Sequence, residues 1–439
     1  MPSLNVAPYI KACIESVRNQ TIDDMEILCV DAGSTDGTLE ILREYEQTDS
    51  RIQVIISDKK SYGFQVNLGI RVASGKYIAI VESDDLINDQ MYEQLYQIAE
   101  SHNCDYVKAD YDYFIEQNDG RIFSEKVALF MDTPEFYNRV IDPSHNNYIY
   151  TNDMNVWKGI YKRDFLMSNN IWFQETPGAA FQDLGFSMKV FYYARCAYYS
   201  DQSYYQYRMG RETASIQSPK GLIYLYQEFR RLLEDEAVSH GMFLEGIYNR
   251  MANAFYVEFL KVLKIEKFDL ESEFIAPVFA WFVETFVDAK EKGIWPNQST
   301  NYFICNKVED ALYHTDEFVR SQKKYCEKES EKERELLSFA KRTSGSSIII
   351  FGAGKLGTYV HKILFTYGYD IYAFADNHTH LEKKCLHGKQ ILSAENAISL
   401  AKYKRAYFIV ANKKNYNEIY AQLIEMGIEQ PDILIYGEK

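Results

Sequence analysis

Two short apolar runs, Met25-Glu-Ile-Leu-Cys-Val30 and Lys76-Tyr-Ile-Ala-Ile-Val81, each break off into carboxylates: Asp31-Ala-Gly-Ser-Thr-Asp-Gly37 after the first, Glu82-Ser-Asp-Asp85 after the second. Runs of this length, with helical patterns following them, read as buried strands of an α/β layer fold. A carboxylate at the carboxyl end of a parallel strand, before a glycine turn and a helix N-terminus, stands where open α/β sheets bind ligands. Asp31 is therefore expected to face a nucleotide, or else to cap the helix that begins near Thr38. Three carboxylates within residues 82–85 repel one another unless a cation or a donor network neutralises them. That clustering predicts a Mg²⁺ or Mn²⁺ site bridging a diphosphate, with only one or two protein carboxylates as ligands. The competing expectation is a solvated acidic turn that caps the helix beginning near Asn88.

The remaining pattern divides the chain into three regions. Residues 1–219 alternate short strands, helical patterns and Gly/Asp/Ser turns. Residues 220–345 show helical periodicity and end in a charge-dense run, which predicts a helical spacer. Residues 346–439 return to α/β. With 48 Lys and Arg against 63 Asp and Glu the formal charge is −15, so polyphosphate backbones are repelled and nucleic acid is not expected as a partner. No apolar run approaches the ~20 residues of a membrane-spanning helix. The seven scattered Cys contain no C-x-x-C pair and read as reduced thiols, which points to a cytoplasmic protein.

Taken together, the first 215 residues resemble the family 2 glycosyltransferases of the GT-A fold. The residues that carry the likeness are Pro2-Ser-Leu-Asn-Val-Ala-Pro-Tyr-Ile10, Ser16-Val-Arg-Asn-Gln-Thr21, Val30-Asp-Ala-Gly-Ser-Thr-Asp-Gly-Thr38 and Gly63 with Asn67-Leu-Gly69. Further on come Ala73-Ser-Gly-Lys-Tyr-Ile-Ala-Ile-Val-Glu-Ser-Asp-Asp85, Trp157-Lys-Gly-Ile-Tyr-Lys-Arg163, Phe181-Gln-Asp-Leu-Gly-Phe186 and Tyr205-Gln-Tyr-Arg208. The resemblance implies that Asp31 receives the pyrimidine ring of a nucleotide-sugar donor, with Asn5, Glu82 and Arg208 also at the donor. It implies that Glu82 and Asp84 stand for the D-x-D pair, that Asp84, joined by Asp85, holds the metal, and that Asp183 is the catalytic base of an inverting, in-line displacement. Three positions depart from the family pattern: Ala32 for a second Asp, Glu82 for the first Asp of D-x-D, and Gln182 for the Glu before the base. They leave the inferred base and metal carboxylates in place and bear on donor identity. In the family an apolar strand precedes the Pro2-Ser-Leu-Asn5 turn, so the first strand is expected to be missing and the natural chain to start upstream.

Several other residues carry weaker expectations. Trp157 and Lys158, beside Lys162 and Arg163, form a basic step that suits a phosphate-bearing acceptor. Arg208 and Arg211 suit a loop that closes on the diphosphate. The His residues, His145, His314, His378 and His380 among them, show no zinc-ligand spacing. In the last region, Phe351-Gly-Ala-Gly-Lys-Leu-Gly357 places Gly352, Gly354 and Gly357 between a strand and a helix, with Asp376 ending the next strand. This dinucleotide-type fingerprint resembles the small Rossmann-like modules attached to sugar acyltransferases and to some bacterial glycosyltransferases. About 95 residues are too few for both halves of a dinucleotide fold, so the module is expected to bind a nucleotide or nucleotide-sugar, or only to pack against a partner. The whole then reads as a metal-dependent glycosyltransferase using a UDP-linked donor in surface polysaccharide or glycoconjugate synthesis. Its acceptor is a carbohydrate, lipid-linked or protein-linked hydroxyl, and association with the inner face of the membrane and self-assembly are further partner expectations. The rivals are a non-catalytic nucleotide-sugar-binding or assembly subunit and, on the C-terminal fingerprint alone, a nucleotide-dependent oxidoreductase.

Overall fold

The computed structural model describes residues 1–116, 120–131, 133–210, 221–235, 241–264, 275–297 and 300–437. The chain divides into two compact units: Met1–Asp112, Val127–Tyr207 and Glu212–Lys324 form the first, and Tyr113–Lys126, Arg208–Arg211 and Tyr325–Lys439 the second. Among the described residues no helix is long and apolar enough to cross a membrane.

The first unit opens with β1 (Pro2–Ser3), β2 (Ile27–Asp31) and β3 (Ile52–Ile56), a parallel sheet in that order. Ile27, Cys29 and Val30 of β2 are buried, which is why that strand reads as a continuous apolar run. Pro2 and Ser3 pair with Val30 and Asp31, and the amino group of Met1 donates to Leu28 O at 2.9 Å. On this side only the last two residues of β2 gain strand partners. A second sheet follows, made of β4 (Tyr77–Ala79), β5 (Leu86–Ile87), β6 (Tyr106–Glu116), β7 (Ile122–Val127), β8 (Val140–Ile141), β9 (Gly159–Lys162) and β10 (Ala197–Arg208). Its order is β4-β9-β6-β10-β5, with β7 on β6 and β8 on β10; residues 113–126, which include most of β7, are counted with the second unit. The acidic segment 82–85 connects β4 to β5.

Helices Gly221–Glu234, Gly241–Lys264, Ile275–Glu291 and Tyr302–Tyr313 come next. The expected spacer over 220–345 is not a domain of its own: residues 212–324 belong to the first unit. An amphipathic helix must bury its apolar stripe somewhere, and these stripes find the α/β layer of the first unit. The Phe243 ring lies 5.4 Å from Tyr150 and 4.8 Å from Tyr192, and Arg250 donates to Thr151 O at 2.7 Å.

The second unit contains helix Lys355–Thr366 and a sheet of β11 (Ser347–Phe351), β12 (Ala373–Ala375), β13 (Cys385–Leu386), β14 (Lys389–Leu392), β15 (Ala406–Val410) and β16 (Ile433–Ile435). The order is β13-β14-β12-β11-β15-β16, parallel except for the β13–β14 hairpin. Strand order reverses about β11, the doubly wound pattern. Alternate residues of β11 enter opposite cores, Ile348 and Ile350 on one face and Ile349 and Phe351 on the other, as a buried central strand requires.

Candidate functional site

The turn after β2 is built around Asp31, which is fully buried. Its Oδ1 accepts the backbone N–H groups of Gly33 (2.9 Å) and Ser34 (2.8 Å), and its Oδ2 accepts the hydroxyls of Ser3 (2.9 Å) and Ser34 (2.6 Å). Four donors fill the lone-pair positions of one carboxylate, so Asp31 shapes the turn that stands at the strand end. It does not cap the next helix, whose cap residue is Gly37; Asp36 beside it accepts the N–H and hydroxyl of Thr38 on its Oδ1. Asn5, at φ 53°, accepts Thr35 N–H on its side-chain oxygen at 2.9 Å and closes the same turn from β1.

The segment after β4 brings Glu82, Asp84 and Asp85 into different surroundings. Asp85 is buried and accepts the Tyr205 hydroxyl at 2.8 Å, while that same hydroxyl accepts Glu82 N–H at 3.1 Å. Asp85 therefore anchors the acidic loop to β10. Glu82 accepts the Tyr62 hydroxyl at 2.6 Å. Burial pushes its carboxyl up to about 7; the Tyr62 hydrogen bond opposes the rise, and the charges of Asp84 and Asp183 add to it. Both carboxylates thus act on Glu82 across one region. Tyr62 also feels Glu82 and Asp183; it opens helix Tyr62–Val72 behind the Ser61 cap. Gly63 beside it allows the chain at Gln174 to approach, since a Cβ there would lie 1.8 Å from Gln174 O.

Asp183 sits in the first turn of helix Gln182–Tyr193, whose cap residue Phe181 is left-handed at φ 63°. A carboxylate in the first turn of a helix is favoured in its ionised form by the helix dipole. The structure adds a stronger opposing effect: burial pushes the Asp183 carboxyl up, while Arg250, the first-turn N–H groups and Lys108 hold it down. A raised carboxyl with a specific cationic neighbour fits a general base. Arg250, from helix Gly241–Lys264, gave no sequence signal. Glu228 did: it shares the apolar stripe of Leu225, Phe229 and Leu232, is buried with them, and a Cβ on Gly185 would meet its carboxylate at 2.9 Å.

Other expected site residues stand elsewhere. Lys158 is buried, not a surface step: its Nζ lies 3.0 Å from Asp153, which also pairs with buried Lys108 at 2.8 Å. Trp157 is buried too, stacked on Tyr205 at 4.3 Å between ring centres. Both lie in the turn before β9 and both are buried, so the expected acceptor contact is an internal ion-pair and aromatic cluster. Arg208 belongs to the second unit, where it pairs with Glu116 at 3.0 Å and covers the Phe114 ring. Arg211 lies outside the described residues. In the C-terminal fingerprint, a Cβ on Gly352 would lie 2.4 Å from Ala411 O, and one on Gly357 would lie 1.9 Å from Gly352 O. Asp376 accepts Ala353 N–H at 2.9 Å and His378 N–H at 3.0 Å. These contacts describe a packed strand–turn–helix junction.

Residues 1–164 match the family described as Glycosyl transferase family 2, and residues 344–434 match one described as C2185-like, N-terminal. The uncharacterized glycosyltransferase EpsJ of Bacillus subtilis is 29% identical over 47% of this chain and 59% of its own length. The uncharacterized glycosyltransferase YibD of Escherichia coli is 28% identical over 53% of this chain and 69% of its own. The chain thus spans about 59% of the EpsJ length. Among solved structures, S. aureus TarS 1-349 in complex with UDP aligns over 74% of this chain and 88% of its own with a TM-score of 0.55 at 19% identity, a likeness of fold.

Proposed function

We propose that this chain, a family 2 glycosyltransferase of GT-A fold over its N-terminal region, transfers a sugar from a UDP-linked donor to a hydroxyl acceptor with inversion. The observation that carries the reading is the convergence of Glu82, Asp84 and Asp183: carboxylates from two separate elements whose charges bear on one another in a buried region. Evolution of such mutual repulsion makes sense where a cation and a diphosphate complete the site. The relatives EpsJ and YibD carry glycosyltransferase names, and TarS of similar fold binds UDP, which supports the nucleotide class.

The donor set after β4 is all oxygen, as Mg²⁺ and Mn²⁺ prefer. Asp84 would hold the ion with Glu82 beside it, while Asp85, committed to Tyr205, fixes the loop. A bound divalent ion supplies charge for the developing diphosphate leaving group. Asp183 takes the acceptor proton as the new glycosidic bond forms. Asp31 presents the Gly33–Ser34 turn to the nucleoside. A helix-dense second half of the first unit, with Arg250 and Glu228, sets the protonation state of the base. In the C-terminal module Gly352 and Gly357 admit close backbone approach, which supports an accessory role for the module over an oxidoreductase.

The test is a panel of nucleotide-sugars screened with Mn²⁺ for a rise in melting temperature and for donor hydrolysis. Binding to the native state stabilises it by mass action, by about 2.7 kcal/mol at a hundredfold excess over Kd. A UDP-sugar that both raises the melting temperature and is hydrolysed supports the reading. A panel in which every donor leaves both unchanged overturns it, and stabilisation without hydrolysis or transfer identifies the non-catalytic subunit instead.

A further inference from the structure

Within the second unit, three side chains remote in sequence meet in the interior: Glu125 of β7, His361 of helix Lys355–Thr366, and His387 of the β13–β14 hairpin. One oxygen or nitrogen from each lies within 4.8 Å of the other two. His361 Nε2 is 3.1 Å from Glu125 Oε2, and His387 Nδ1 contacts Glu125 Oε1. The imidazole centres are 5.0 Å apart. None of the three is more than a tenth exposed at its side chain. We propose that Glu125, His361 and His387 form a zinc site that ties the 113–126 segment to the C-terminal module.

The chemistry of the donors selects the ion. Two imidazoles and one carboxylate are a borderline set that suits Zn²⁺; Mg²⁺ and Ca²⁺ take all-oxygen ligands, as the acidic turn after β4 offers. Zinc bonds of about 2.0–2.2 Å place tetrahedral ligand atoms within such mutual reach. Three protein ligands leave the fourth position to water or to a small anionic or thiolate group. Each imidazole must present a lone pair. His387 does so at Nδ1 while its Nε2, 3.3 Å from Thr358 Oγ1, carries the proton toward that hydroxyl, the orienting partner that a ligating histidine needs. His361 does so at Nε2, its proton moving to Nδ1.

A further observation favours a ligand here over simple packing. His387 holds a left-handed backbone at φ 52° and is followed by Gly388 at φ 70°, a two-residue turn between Leu386 and Lys389. Asn-Gly or Gly-Gly suits that turn better, so the histidine stands at its first position at some backbone cost for what its ring reaches.

The experiment uses the full chain, stripped with a chelator and returned to one equivalent of Zn²⁺ or Co²⁺. We expect one zinc per chain retained through gel filtration, visible Co²⁺ absorption bands of a nitrogen–oxygen site, and a higher melting temperature with Zn²⁺. His361→Gln and His387→Asn should each weaken zinc at least about tenfold. If Zn²⁺ leaves the stripped wild-type protein's melting temperature and metal content at the level of its chelated form, the site is only a hydrogen-bonded cluster and the proposal fails. That comparison needs no variant to fold. Wild-type retention of zinc that both histidine variants share would equally overturn it, since the ion would then sit elsewhere, the carboxylates after β4 included.

Discussion

Glu228 shows what burial does to a carboxyl without a close counter-charge. Both its oxygens are enclosed with no hydrogen-bond partner, and the nearest cation, Arg231, stands 4.0 Å away; burial pushes the group up to about 8. In the unfolded chain a Glu titrates near ~4.3. Between ~4.3 and about 8 the native state keeps a proton that the unfolded state has released, so stability is whole at the acid end and falls as pH rises through that window. Glu228→Gln replaces the protonated acid with a neutral isostere. Calorimetry should give variant and parent the same melting temperature near pH ~4 and a variant advantage that widens toward pH ~8.5; parallel curves would show that Glu228 is ionised at both ends. Asp183→Asn asks a different question of a neighbouring carboxyl. Asn accepts the first-turn N–H groups as Asp does but cannot take a proton, so the variant should keep its melting temperature and Mn²⁺-dependent donor affinity while losing at least about a hundredfold in transfer rate. Near-parental transfer by a folded Asp183→Asn protein would leave the base unassigned.

The strands, turns and helix starts of both α/β regions were legible because each is dictated locally. An apolar run bounded by Asp, Gly and Ser has few ways to fold, and β2 and β11 formed where such runs stood. What such runs leave unsaid is which side chains meet across elements. Tyr62 on Glu82 and Tyr205 on Asp85 join residues 20 and 120 positions apart, and Glu125 meets His361 across 236; no spacing rule reaches that far. Lys158 misled for a related reason: a cation beside an aromatic suggests a surface step, and only the partner Asp153 shows that the pair is internal. The glycine fingerprint was legible as a turn but ambiguous in purpose, and substitution separates the purposes. Gly352→Ala and Gly357→Ala drive a methyl to 2.4 Å and 1.9 Å from backbone oxygens, whereas at Gly354 a Cβ meets nothing within 4 Å. The first two should destabilise the C-terminal module by more than about 1–3 kcal/mol, the range of overpacked cores, and Gly354→Ala should be within about 0.5 kcal/mol of the parent, as open surface positions are. Donor hydrolysis should survive Gly354→Ala unchanged. A large loss of hydrolysis in a folded Gly354→Ala protein would give that turn a part in the reaction.

At the level of the molecule, the division into a transferase region, a spacer and a module followed composition, while the folded chain follows burial. Periodicity marks a helix as amphipathic without saying which surface receives its stripe, so the helices after residue 220 read as independent. In the structure they complete the first unit. Phe243 packs between Tyr150 and Tyr192, Gly246 stands where a Cβ would touch Tyr150 at 2.8 Å, and Arg250 reaches Asp183 electrostatically from the same helix. Ending the chain at residue 219 would return these aromatic faces to water at about 25 cal/mol per Å² of apolar surface, and a domain has only about 5–15 kcal/mol to lose. It would also take from Asp183 its largest opposing influence, the Arg250 charge, so burial alone would then govern the carboxyl. The 1–219 fragment should therefore express as an aggregating or loosely packed species that binds hydrophobic dyes and shows no cooperative melt, even though it spans every motif by which the transferase region is read. Full-length protein carrying Arg250→Met isolates the second effect: it should fold, and its transfer rate should depend on pH with an acidic-limb pKa, set by Asp183, higher than the parent's. A monomeric 1–219 fragment with a sharp melt and parental donor hydrolysis would show that the helices are dispensable after all, and would restore the spacer as a domain apart.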